Sequence, residues 1–127
     1  MEGGQPAPGR GASDRAVELA RLAARAASGK LAQNIVGLDV SQRLGLTDAF
    51  LICSGANDRQ VGAIVDAIEE KLFGAGAKPV RREGDGEARW VLLDFLDLIV
   101  HVQSTEARNL FALDRLWHDC PEIDLDL

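Results

Sequence analysis

Asp48-Ala49-Phe50-Leu51-Ile52-Cys53-Ser54-Gly55 decides the fold of this chain. Five consecutive apolar residues stand between an aspartate and a serine-glycine pair. A run of that length, too short for a helix and apolar at every position, reads as a strand covered on both faces. Such strands lie inside the sheets of α/β proteins, where helices cover the faces. Asn57 and Gln60 follow at capping distance. Val61, Ile64, Val65, Ile68 and Leu72 then form one helical stripe, which Gly74 and Gly76 end.

Toward the N-terminus, Ser13 and Asp14 are N-cap candidates. Val17, Ala20, Ala24, Ala27 and Leu31 recur at three and four, one face of a helix that closes near Gly29. The stretch from Asn34 to Val40 is rich in β-formers, and residues 41–45 read as a connection. Toward the C-terminus, residues 79–83 and 88–93 flank Gly84-Asp85-Gly86, which predicts a hairpin. A turn at Asp94-Phe95-Leu96-Asp97 leads into Leu98-Ile99-Val100-His101-Val102. A last helix is expected from Ser104 or Thr105, with Leu110, Phe111, Leu113, Leu116 and Trp117 on its apolar face and Pro121 past its end. The expected architecture is α/β: a mixed five-stranded sheet packed by helices, in the order α-β-β-α-β-β-β-α. Residues 1–13 read as a disordered lead, 14–118 as the single domain and 119–127 as an acidic tail.

The chain has 127 residues, a net charge of -6 and two cysteines. An acidic domain is a poor ligand for bare phosphates, so a nucleic-acid grip is not expected; the charge permits docking on a basic protein surface, and it is equally common in ordinary soluble proteins. Cys53 and Cys120 show no disulfide or zinc spacing, and neither a cofactor nor a metal is expected. No leader-like or membrane-length apolar segment is seen, which makes cytoplasmic residence the expectation.

There is no phosphate-binding glycine loop of the nucleotide-binding kinds. His101 sits alone in an apolar strand, where a hydrogen-bonded packing role outweighs catalysis. Asp94 and Asp97 flank a turn that acidic residues suit, and the pair is expected to be exposed and open to a partner. Thr47 and Asp48 are placed to bond the local backbone. Trp90, among polar neighbours on a strand, is either a core residue or an interface anchor. No catalytic residues are assigned.

Taken in order, Asp39-Val40, residues 46–55, Asp58-Arg59-Gln60-Val61, Glu83-Gly84, Trp90-Val91-Leu92-Leu93-Asp94, residues 97–102 and residues 108–117 resemble the ribosomal silencing factors of the RsfS/iojap family. The resemblance implies a fold related to nucleotidyltransferases, without their catalysis. It further implies binding to the large ribosomal subunit through that subunit's ribosomal protein fourteen. Exclusion of the small subunit, lowered translation under nutrient limitation, and a homodimer in the free state follow from the same likeness. Organelle relatives act in ribosome assembly, so a large-subunit assembly factor is one alternative. A metal-dependent nucleotidyltransferase using Asp48, Asp94 or Asp97 is another. The candidate contact residues are Trp90, Asp94, Asp97, His101 and Arg108. Two departures stand out: Leu96 occupies the place of a glycine before the second aspartate, and Leu110-Phe111 replaces a Phe-Tyr pair. A left-handed backbone at Leu96 is costly, and an apolar Phe95-Leu96 pair at a turn is alternatively a contact point.

Overall fold

The computed structural model describes residues 11–84 and 89–127. The elements run α1 (Asp14–Gly29), β1 (Gln33–Asp39), β2 (Ala49–Gly55), α2 (Asp58–Gly74), β3 (Arg81–Glu83), β4 (Trp90–Asp94), β5 (Leu98–Ser104), α3 (Thr105–Phe111), α4 (Leu113–Leu116) and β6 (Glu122–Ile123). The strands form a six-stranded sheet in the order β3-β4-β5-β2-β1-β6. β2 and β5 run parallel at its centre, with Ile52 opposite His101, and β4 and β1 flank them antiparallel.

The central strand is as its sequence predicts: every residue of β2 is buried. Its alternation splits the core in two. Ala49, Leu51 and Cys53 join Val91, Leu93, Leu98, Val100 and Val102 beneath α1 and α2. Phe50 and Ile52 face the other way, with Leu38, Val40, Leu113 and Cys120. Helices α1 and α2 therefore cover one face over its inner strands, while the second face is covered only in part, by α4 and the chain after it.

Local signals explain both long helices. Ser13 Oγ accepts the Ala16 N–H at 3.1 Å, and Asn57 Oδ1 accepts the Gln60 N–H at 2.9 Å. The reciprocal bond of the second cap goes one residue further back than expected, from Ala56 N–H to Gln60 Oε1. The α2 stripe is buried as predicted. In α1 the stripe is displaced: Ala16, Leu19, Ala20, Ala23, Ala24 and Ala27 face the core, and Leu31 is exposed in a left-handed turn at φ 63°. Gln60 Nε2 holds that turn by donating to the carbonyls of Lys30 and Leu31.

Three further expectations change. The last helix is two short ones, because Ala112 takes a left-handed conformation (φ 50°, ψ 48°) between them. Leu110, Phe111 and Leu116 consequently turn outward rather than into a core. The acidic end is not a loose tail. β6 pairs with β1, Leu125 is buried, and Arg21 Nε donates to the Asp124 carbonyl at 2.8 Å. Gly37 leaves room beneath it: a Cβ there would stand 2.8 Å from Leu125 Cδ2, so the leucine side chain would have to shift. Of the predicted hairpin, β3 and β4 pair as expected, and Asp85 and Gly86 lie outside the described residues. Gly84 adopts φ 112°, and a Cβ on it would come within 2.7 Å of the Trp90 carbonyl oxygen.

Candidate functional site

The incompletely covered sheet face gathers most of the candidate residues. β4 contributes Trp90, Leu92 and Asp94, and β5 contributes Ile99, His101 and Gln103. In the antiparallel register Trp90 stands opposite Gln103, Leu92 opposite His101 and Asp94 opposite Ile99. Trp90, Leu92, Asp94 and Ile99 are half-buried. Trp90 is thus both packing residue and surface: its ring lies 4.8 Å from that of Phe111, centroid to centroid, and part of it remains open.

His101 lies beneath this surface, 6% exposed. Its Nδ1 accepts the Trp90 Nε1–H at 3.1 Å, and the Phe50 ring meets it edge-on at 4.9 Å. An accepting nitrogen carries no proton, so the neutral ring keeps its proton on Nε2. Nε2 has no hydrogen-bond partner among the described residues, nor has either amide atom of the fully buried Gln103. Burial lowers the His101 pKa from 6.5 to about 4, because the charged form loses its water. A histidine so held is a poor proton shuttle near neutrality.

The two aspartates of the turn differ. Asp94 is half-buried, its Oδ1 accepting the Leu96 N–H at 2.8 Å and its Oδ2 lying 3.8 Å from Arg81 Nη2. Asp97 is exposed, and among the described residues its carboxylate makes no ion pair. Its backbone is tied down instead: the Asp97 carbonyl accepts the N–H groups of Asp48 and Ala49. The expectation that both carboxylates are exposed is therefore corrected for Asp94, which the turn uses for itself. Asp48 accepts a distant N–H, that of Ser13 at 2.8 Å, and Thr47 Oγ1 is buried without a partner among the described residues. Neither follows the local pattern expected of them.

Leu96 does take the left-handed backbone, at φ 74°, and Asp97 N–H closes a three-residue turn on the Phe95 carbonyl at 3.0 Å. The neighbouring apolar pair divides: Phe95 enters the core and Leu96 is 59% exposed. Leu96→Gly is expected to stabilise the fold by about 0.5–1 kcal/mol, the relief of left-handed strain less the entropy that glycine adds to the unfolded chain. Urea unfolding of the two proteins measures it, and a destabilised variant would show that Leu96 is held by packing instead.

Arg108 is turned inward and is not presented on this face. It is 6% exposed. Nη1 donates to Ser54 Oγ at 2.9 Å, and Nε and Nη2 bind both carboxylate oxygens of Asp114, at 2.7 and 2.6 Å. This fork ties α3 and α4 together across the break at Ala112 and anchors both to the end of β2. The hydrogen bonds from Arg108 hold the Asp114 carboxyl below its ordinary value. In place of Arg108, the surface gains residues that the sequence reading took for core: Leu110, Phe111 and Leu116. Only the left-handed Ala112 turns them out, and alanine carries no signal for that conformation.

The arrangement is a partly open sheet face with an aromatic centre, apolar borders and an acidic turn. No group of three or more histidine, cysteine or acidic side chains that could hold a metal ion occurs among the described residues. The family model described as ribosomal silencing factor during starvation matches residues 13–127. The chain belongs to the ribosomal silencing factor family. A ribosomal silencing factor of Bacillus subtilis is 40% identical over 108 residues, covering 85% of this chain and 92% of that one. A crystal structure of a protein from Chromobacterium violaceum superposes with a TM-score of 0.76 at 32% identity, covering 80% of this chain and 84% of that one. A mouse protein named for mitochondrial assembly of the ribosomal large subunit is 29% identical over 68% of this chain and 39% of its own length. The family is one of ribosome-associated regulators, and its name indicates no catalytic activity. The relatives fit the mixed α/β sheet seen here, which has six strands where the sequence reading counted five. No helix among the described residues is long and apolar enough to cross a membrane.

Proposed function

We propose that this chain represses translation by docking on the large ribosomal subunit, where it stands in the way of the small subunit when nutrients are short. The observation that carries this reading is the half-open Trp90 on a sheet face that α1 and α2 leave free, bordered by outward-facing Phe111 and by exposed Asp97. Buried aromatic anchors ringed by polar groups are where binding energy concentrates. A chain with net charge -6 is drawn to a basic ribosomal protein and repelled by bare rRNA. Ribosomal protein fourteen of the large subunit is the partner this reading assigns, with Trp90, Asp94 and Asp97 in the contact and His101 behind it. It further assigns a homodimer in the free state, a cytoplasmic location, and no cofactor or metal.

The name of the mouse relative favours a second reading, in which the same surface serves large-subunit assembly. Co-sedimentation of the purified chain with isolated large and small subunits tests the first. Binding to the large subunit alone, with loss of whole ribosomes when both are present, is the expected result. Binding to the small subunit, or unimpaired joining, overturns it. Deletion separates the two readings: unrestrained translation in starvation marks silencing, and accumulating immature particles mark assembly. Asp97→Arg reverses the charge at an exposed position whose backbone contacts it leaves intact, and is expected to weaken large-subunit binding about tenfold with an unchanged melting temperature. Undiminished co-sedimentation removes Asp97 from the site.

A further inference from the structure

We propose that His101 is a positioning residue for docking: from below the surface, its Nδ1 fixes the orientation in which Trp90 is presented to the partner. This rests on the docking reading above and concerns how its central residue is held.

The register makes the geometry specific. Trp90 stands directly opposite Gln103, not His101. Its indole nevertheless bonds diagonally, across two residues of β5, to the imidazole. That bond selects one edge of the indole to face inward, so the opposite edge points away from His101. Packing alone does not make this choice. Phe111 touches Trp90 at a tilt of 47°, a contact that flat rings satisfy in more than one orientation. His101 itself is fixed from the other side by the edge-on ring of Phe50, on the neighbouring strand β2.

The choice of residue supports the role. Strand β5 is apolar around this position, with Val100 and Val102 fully buried. A leucine would fill the space, and it would not bury an Nε2–H that finds no partner among the described residues. What histidine adds is an acceptor under the indole. The ring resists protonation when buried, which keeps Nδ1 an acceptor near neutrality. With 6% of its surface exposed, His101 offers a partner almost nothing directly.

The test compares His101→Leu with His101→Asn in the full chain. Asparagine places an oxygen where Nδ1 stands, and leucine restores the bulk without an acceptor. His101→Leu is expected to bind large subunits about tenfold more weakly, the effect of one lost positioning hydrogen bond. His101→Asn is expected to recover most of that binding while melting lower than His101→Leu, because it leaves the site underfilled. Affinity then follows the acceptor and not the stability, which a merely structural residue does not do. In a Trp117→Phe background, where Trp90 is the sole tryptophan, the indole N–H signal is expected to be protected from exchange in wild type and His101→Asn, and unprotected in His101→Leu. Wild-type binding by His101→Leu overturns the proposal. So does affinity that ranks with melting temperature. Continued protection of the indole in His101→Leu, with Gln103 taking over as acceptor, overturns it as well. Trp90→Ala separates this from the underlying reading: if that variant sediments like wild type, the docking surface itself is wrong.

Discussion

Trp90→Ala is expected to lower affinity for the large subunit by about a hundredfold, the largest single effect on this surface. Truncating a central aromatic anchor typically costs about 2–4 kcal/mol, and each 1.4 kcal/mol is tenfold in affinity. Trp90 has the features of such an anchor. It is half-buried, its polar atom is satisfied within the chain by His101, and its ring lies against Phe111, with Leu92 next on the same face of β4. A partner gains apolar area from it without having to satisfy the indole N–H. The variant also loses packing on Phe111 and His101, so a fall in stability has to be separated from a loss of contact. Trp117 supplies the control. It lies on the same side of the sheet, with its ring 5.2 Å from that of Phe50 and under the Arg43 guanidinium, but it is tied to β2 rather than to β4. Trp117→Ala is expected to lower the melting temperature by a similar amount and to change binding far less. Quantitative sedimentation of both variants at a temperature where each is folded decides the matter. Equal losses of binding would reduce Trp90 to a packing residue.

The sequence made the sheet interior legible because burial there leaves a plain pattern. β2 is apolar throughout and is buried throughout, and the α2 stripe was readable residue by residue. Where the pattern failed, backbone conformation had overridden it. Leu31, Leu96 and Ala112 all take positive φ, and none is a residue type that announces it. At Ala112 the consequence was a helix broken in two and an apolar face turned outward. β6 was missed for a different reason. Two residues have no alternation to read, and they pair with β1 at Gly37 and Leu38, far off in sequence, where Gly37 leaves room for Leu125. Within the candidate site, the register sets Trp90, Asp94 and His101 on one face, which adjacent strands alone do not reveal. Nor does strand periodicity show depth along that face: His101 lies under Trp90, and Arg108 is spent on Ser54 and Asp114. Arginine near the end of a helix reads as a surface cation until its partners are seen.

Acidification from pH 7 to pH 4 is expected to remove about 3 kcal/mol of folding stability through His101 alone, the free-energy equivalent of lowering its pKa from 6.5 to about 4. In the unfolded chain the imidazole protonates at its ordinary value; in the fold, burial holds it neutral. Between those values the unfolded state binds more protons, so stability must rise with pH across the window. The contribution is fully present above pH 6.5 and is lost as the pH falls toward 4. Local geometry points the same way. A proton on Nδ1 would face the Trp90 N–H that now donates to it, and the rings of Phe50 and Trp90 that enclose the imidazole offer no counter-charge. Asp114 acts in a lower window. The hydrogen bonds from Arg108 depress its pKa below 3.8, so its contribution persists above that value and is lost only in stronger acid. The two groups are therefore separable by pH. Urea midpoints measured from pH 7 to pH 4 are expected to fall steeply in wild type and much less in His101→Leu, which carries no titrating group at this position. Parallel curves for the two proteins would place the acid sensitivity elsewhere. In the folded protein the Trp90 N–H keeps its acceptor through that window, because His101 itself protonates only near pH 4; the docking surface is therefore expected to keep its order while the fold weakens, and to lose it only as the pH reaches about 4.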